Sequence, residues 1–201
     1  MKYIENLQSV ADLQPDYLGF IFYDRSPRNF EGIIPELPKK IKKTGVFVNE
    51  IPEILISLAQ EYKLEALQLH GDETVDYIQV LKEHLKKVEI IKVFGIKDDF
   101  DFSLLEPYKD VVDYFLFDTK GKERGGNGVK FDWSVLKEYP LQKPFFLSGG
   151  IGVEDVEEVK KIKNSGLPVY AIDINSRFET KPGFKNIKLI KKFKQSVITS
   201  I

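Results

Sequence analysis

Short apolar runs rich in aromatic and β-branched residues recur along this chain, each followed by a polar or helically spaced stretch, and that rhythm constrains the fold more than any other feature. The runs are Tyr17-Leu18-Gly19-Phe20-Ile21-Phe22, Lys43-Thr44-Gly45-Val46-Phe47-Val48, Ala66-Leu67-Gln68-Leu69-His70 and Glu89-Ile90-Ile91-Lys92-Val93-Phe94. Tyr114-Phe115-Leu116-Phe117-Asp118, Pro144-Phe145-Phe146-Leu147-Ser148 and Val169-Tyr170-Ala171-Ile172-Asp173 complete the series. They are apolar along their length, the pattern of strands buried on both faces of a parallel sheet. Helical spacing spans Ile51 to Tyr62, with Pro52 near its start, then Thr74 to Lys86 and Val153 to Lys163. A first helix is expected over Lys2 to Leu13 and a last one from Asn186 to Phe193.

About seven such units, roughly 25 residues apart, indicate an α/β fold with a parallel sheet. An open doubly wound sheet and a closed (β/α)8 barrel both satisfy the rhythm. The first βα turn, Phe22-Tyr23-Asp24-Arg25-Ser26-Pro27, has no glycine and so no dinucleotide fingerprint. His70, Asp118, Ser148 and Asp173 all sit at the C-terminal ends of strands, and a barrel brings such ends to one mouth. The reading is therefore a (β/α)8 TIM barrel, with residues 1–201 as a single domain. An eight-stranded barrel needs a strand ahead of the first helix, and no strand-like run precedes the helix expected from Lys2.

Composition narrows the chemistry. Lys+Arg 30 against Asp+Glu 31 leaves a net charge of -1, without the basic excess that draws nucleic acid or a membrane surface. No apolar run approaches the ~20 residues of a membrane span, and the N-terminus lacks a secretory apolar stretch, so a cytoplasmic protein is expected. The chain has no cysteine and only two histidines, which leaves no thiolate ligand or nucleophile and makes a metal site unexpected.

The segment Leu147-Ser148-Gly149-Gly150-Ile151-Gly152 leaves a strand and opens a helix, where backbone N–H groups and the helix N-terminus attract anions. Together with Asp173-Ile174-Asn175-Ser176-Arg177, it occupies the loops from which many barrels build a phosphate site. The plain alternative is that the glycines only shape a turn. Asp118 ends a strand beside a glycine-rich loop through Gly128, a placement suited to a general acid or simply to a loop cap. Arg25 and Arg28 offer guanidinium groups for carboxylate or phosphate, or for solvent.

The motifs Ser26-Pro27-Arg28, Leu67-Gln68-Leu69-His70-Gly71-Asp72-Glu73, Phe117-Asp118 with Gly125-Gly126-Asn127-Gly128 and Phe131-Asp132-Trp133, Leu147-Ser148-Gly149-Gly150-Ile151 and Ile172-Asp173-Ile174-Asn175-Ser176 together resemble the phosphoribosylanthranilate isomerase family of tryptophan biosynthesis. The resemblance covers essentially the whole chain. It implies that Asp118 is the general acid that opens the ribose ring, and that Gly149, Gly150, Asn175 and Ser176 hold the phosphate. It further implies that Arg28 faces the anthranilate carboxylate and that Gln68 and His70 line the mouth. The reaction would be an Amadori rearrangement of a small phosphosugar, with no metal or redox cofactor, in a monomer or homodimer. Arg177 stands where the family motif usually has glycine, and the resemblance implies an altered phosphate site there.

The family's general base is a cysteine in a first strand reading approximately Lys-Val-Cys-Gly-Met. Met1 aligns with the end of that motif, so the expectation is a chain begun at an internal methionine, with reduced activity for want of the base. The competing readings are natural loss of the base in a non-catalytic phosphate- or metabolite-binding barrel, and another phosphosugar barrel enzyme. Within the last class a pentose-phosphate epimerase would need metal-ligating histidines. An indole-glycerol-phosphate synthase would need a strand-end lysine, for which Lys92 is the candidate.

Overall fold

In the computed structural model, residues 1–97, 99–119 and 132–198 are described. The order of elements is α1 (Ile4–Ala11), β1 (Tyr17–Phe22), β2 (Lys42–Phe47), α2 (Pro52–Glu61), β3 (Ala66–Leu69), α3 (Val75–His84), β4 (Glu89–Ile96), β5 (Tyr114–Thr119), β6 (Phe145–Leu147), α4 (Val156–Lys163), β7 (Val169–Ile172), β8 (Glu179–Lys181), β9 (Phe184–Lys185) and α5 (Ile187–Ile198). The main sheet runs β1 to β7 in chain order. Pairing is parallel for β1 through β4 and for β5 through β7. The chain forms two compact units, residues 1–92 with 180–185, and residues 93–179 with 186–201.

Each strand falls within about two residues of its expected place, but among the described residues three connections carry no α-helix. Residues 23–41 carry none, and Pro27, Pro35 and Pro38 interrupt that stretch. Phe102–Tyr108 and Trp133–Glu138 form only 3-10 turns, the first with Pro107 inside it. Two strands also depart from burial on both faces. β1 alternates between buried and half-buried positions, and no residue of β7 is fully buried. Each stands at one end of the sheet order, where one neighbour is lacking among the described residues.

In the first unit, Leu7, Phe20, Phe47, Leu55, Leu67, Leu69 and Ile78 are wholly buried, joining α1, α2 and α3 to the strands. In the second, Phe117 meets Phe102 and Tyr139 edge-on, Phe145 meets Phe117 and Tyr139, and Phe115 stacks on Phe117, a core of aromatic rings over the short 3-10 segments. The Met1 amino group donates to the Gly19 carbonyl on β1. No helix among the described residues is long and apolar enough to cross a membrane.

Sequence reading missed the β8–β9 hairpin and its anchor on α1. The Asn6 side chain donates to the Lys185 carbonyl at 2.9 Å and accepts from the Lys185 N–H at 2.6 Å, while itself only 3% exposed. Asn6→Ala strips both partners from a buried backbone unit. It is expected to lower stability by about 2 kcal/mol, read as an earlier urea midpoint. An unchanged midpoint would show that the hairpin does not depend on this tie.

Candidate functional site

Three of the four strand-end residues singled out from the sequence, His70, Ser148 and Asp173, are fixed by the backbone of the preceding strand. Ser148 N–H donates to the Phe117 carbonyl at 2.9 Å, and Asp173 N–H donates to the Leu147 carbonyl at 2.8 Å. The Ser148 hydroxyl then donates to Asp173 Oδ2 at 2.9 Å, tying the ends of β6 and β7 together. In the first unit, His70 N–H donates to the Phe47 carbonyl at 2.8 Å in the same manner.

The second unit brings Asp118, Gly149 and Gly150 together. Gly149 and Gly150 adopt left-handed backbone angles, with φ of 92° and 65°. A Cβ on Gly149 would lie 2.5 Å from Thr119 Oγ1, 2.7 Å from Thr119 N and 3.3 Å from Asp118 Oδ1. The glycine loop therefore rests directly on the end of β5, where Asp118 Oδ1 accepts from the Thr119 N–H at 2.8 Å. Thr119 Oγ1 is buried with no hydrogen-bond partner, a feature that sequence reading missed.

Asn175 and Ser176 follow β7, with Ser176 opening a 3-10 turn. The N–H groups of Gly149, Gly150 and Ser176 find no acceptor among the described residues. Unpaired backbone donors at the ends of adjacent strands suit an oxyanion. The N–H of Gly152 differs, since it donates to Asp155 Oδ2 at 2.7 Å, so the helix-opening turn is already capped. Arg177 pairs with Glu154, and a Cβ on Gly152 would meet both side chains. The guanidinium is thus matched by a carboxylate within the same loops.

The first unit carries Arg28, Gln68 and His70, each half-buried. Arg28 sits in a loop closed by Asn29, whose Oδ1 accepts from the Tyr23 N–H at 3.0 Å and whose Nδ2 reaches Glu31 at 3.2 Å. Ser26 Oγ accepts from the Arg28 N–H at 3.2 Å. Gln68 lies within β3, in register with Val46 and Ile91. Lys92, the lysine that a synthase would use as acid, is buried in an ion pair with Glu73 and is not presented at a strand end. The glycine-rich stretch Gly125-Gly126-Asn127-Gly128 and Phe131 lie outside the described residues. Among the described residues no cluster of three His, Asp or Glu could hold a metal ion.

Comparison with known proteins follows from this geometry. The family model described as N-(5'phosphoribosyl)anthranilate (PRA) isomerase matches residues 1–196. An N-(5'-phosphoribosyl)anthranilate isomerase of Parabacteroides distasonis is 40% identical over 205 residues, covering 98% of this chain and 90% of that protein. The crystal structure of phosphoribosyl anthranilate isomerase from Thermotoga maritima superposes with a TM-score of 0.83 at 30% identity, covering 98% of this chain and 95% of that one. A further structure, of a phosphoribosyl anthranilate isomerase in complex with reduced 1-(o-carboxyphenylamino)-1-deoxyribulose 5-phosphate, has a TM-score of 0.79 at 28% identity and covers 98% of this chain and 94% of that one. The expected barrel class therefore holds, with seven strands in the main sheet among the described residues where the eight-stranded barrel has one more.

The geometry of Gly149 generates a direct test. Gly149→Ala combines a left-handed backbone with a collision at Thr119, whereas Gly166→Ala has the same kind of backbone (φ 85°) and nothing within 4 Å. Titration calorimetry with inorganic phosphate is expected to show binding weakened about tenfold or more by the first change, from a displaced donor set. The second should leave it unaltered. Equal effects of the two would remove Gly149 from the anion site.

Proposed function

The chain belongs to the N-(5'-phosphoribosyl)anthranilate isomerase family, and from that premise we propose how its residues carry out the rearrangement. The activity is isomerisation of N-(5-phosphoribosyl)anthranilate to 1-(2-carboxyphenylamino)-1-deoxyribulose 5-phosphate, a step of tryptophan biosynthesis. The observation that carries the residue assignment is the contact of the Asp118 carboxylate and Gly149 beside unpaired N–H donors. Gly149, Gly150, Asn175 and Ser176 hold the phosphate, through backbone donors that need no counter-charge. Arg28 pairs with the anthranilate carboxylate, as a guanidinium does with a planar carboxylate, and Gln68 and His70 contact the same end of the substrate.

Asp118 delivers a proton to the ribose ring oxygen. The bond from that oxygen to carbon 1 breaks, and the anthranilate nitrogen lone pair completes an iminium. Removal of the proton on carbon 2 gives an enolamine, and a proton gained at carbon 1 with one lost from the carbon-2 hydroxyl gives the ketone of the product. The protons gained and lost balance, so the product is an isomer of the substrate, and the ring-opening and carbon-2 steps need one acid and one base. The family's cysteine base has no counterpart among these 201 residues, and the proposed mechanism assigns the carbon-2 proton to no residue among them. The unbroken match over residues 1–196 supports treating the chain as one domain. A charged phosphosugar as substrate supports a cytoplasmic location.

Binding and turnover separate on this proposal. The 201-residue chain should bind the reduced deoxyribulose phosphate analogue, and Ser176→Asp should weaken that binding by placing a negative charge at the phosphate. Its isomerase rate should fall short by about a hundred- to ten-thousandfold, the usual contribution of a positioned base. Joining an N-terminal strand that carries cysteine should restore the rate, and the same strand with alanine should not. Asp118→Asn in the cysteine form should abolish the gain. Full turnover by the unextended chain would show that another residue takes the proton.

A further inference from the structure

We infer that the buried Lys92–Glu73 pair is a positioning device that holds His70 toward the substrate, an inference that rests on the assignment of His70 above. The two side chains are 3% and 1% exposed and meet at 3.1 Å. Lys92 Nζ also donates to the Gly71 carbonyl at 2.8 Å and to the Leu69 carbonyl at 3.4 Å. Those carbonyls lie on either side of His70. One ammonium, with three protons, thus engages the backbone before His70, the backbone after it, and a carboxylate.

Glu73 closes the arrangement from the other side. Both its oxygens accept from the Gly71 N–H at 3.0 Å, and Oε1 accepts from the Asn49 N–H at 2.9 Å. Asn49, itself left-handed with φ of 52°, accepts from the Asp72 N–H through Oδ1 at 2.6 Å. A Cβ on Gly71 would lie 2.1 Å from Asn49 Oδ1 and 2.5 Å from Glu73 Oε1, so only glycine fits between them. With His70 N–H already committed to Phe47, the backbone from Leu69 to Asp72 has a bonded group at every residue.

Stability alone does not account for such a pair. Buried ion pairs are often replaceable by apolar residues with no loss of stability, because desolvation offsets their attraction. What this pair adds is direction, since its bonds converge on the loop that leaves β3 at the end where barrels place their sites. Lys92 is therefore a positioning residue and does not touch the substrate. It can be removed without removing any group assigned to the phosphate or to the acid.

The test compares the intact chain, Lys92→Met, and the double variant Lys92→Met with Glu73→Gln. The double variant leaves no unpaired buried charge, and glutamine can still accept from the Gly71 and Asn49 N–H groups. Measured quantities are the thermal midpoint, the affinity for the reduced deoxyribulose phosphate analogue, and the affinity for inorganic phosphate. Lys92→Met should lower both midpoint and analogue affinity, the latter on the order of ten- to a hundredfold for a misplaced contact. The double variant should regain most of the midpoint while analogue affinity stays low, and inorganic phosphate should bind equally to all three. Analogue affinity that returns with the midpoint, or that never falls, would overturn the inference and reduce the pair to a structural element. Loss of phosphate binding in the variants would overturn it as well. An intact chain that binds phosphate but not the analogue would instead overturn the functional reading on which the inference rests.

Discussion

A parallel strand ends with a carbonyl that the next strand in the sheet can still use, and this protein puts that spare bond to work at its site. Phe47 accepts from His70, Phe117 from Ser148 and Leu147 from Asp173, each donor being the first residue past its own strand. The ladder therefore extends one residue beyond the sheet, onto the residue where loop freedom would otherwise begin. A loop tip pays conformational entropy to hold a geometry when ligand arrives, whereas these residues have given it up on folding. The precision of the site is inherited from the register of the sheet.

That dependence explains what was legible in the sequence. Strand positions were readable because runs such as Tyr114 to Phe117 are apolar and β-prone throughout, and four strand ends were readable because their runs stop at His70, Asp118, Ser148 and Asp173. Asp118, Ser148 and Asp173 were thus visible as a set before any coordinates. The helical layer was less legible. Wherever an aromatic cluster such as Phe102, Phe117, Tyr139 and Phe145 fills the space over the sheet, a short 3-10 segment suffices to cover it. Periodicity carries no record of that exchange, since a segment of six or seven residues is too short to show a period.

Lys92 shows the other limit. A lone charge within Glu89-Ile90-Ile91-Lys92-Val93-Phe94 announces that something must neutralise it, but local sequence does not name the partner. Two readings of the lysine, an acid at a strand end or an ammonium held in place, share one sequence signature and differ only in geometry. Three acceptors within reach of Nζ decide between them. The partner lies 19 residues upstream in a motif, Gly71-Asp72-Glu73, whose glycine is required by the approach of Glu73 and Asn49. Breaking such a pair on one side strands a buried charge, at a cost of about 3–5 kcal/mol. Substitution of either partner alone is therefore far more damaging than substitution of both.

The phosphate loops pose a problem in charge that the same kind of reasoning resolves. Glu154 and Asp155 lie in the turn that opens α4, immediately after the glycines assigned to an anion, and two carboxylates there oppose a phosphate. Asp155 is turned inward onto the Gly152 N–H, where it caps the turn and satisfies a donor that the anion does not need. Glu154 is matched by Arg177, the residue that departs from the family's usual glycine. Read in isolation, that arginine looks like an added phosphate ligand. Paired with Glu154 across Gly152, it serves instead to cancel a repulsion, which on the proposed assignment leaves the anion to the neutral backbone donors of Gly149, Gly150 and Ser176. Arginine at 177 and glutamate at 154 are therefore a coupled choice, and the effect of changing either depends on the other.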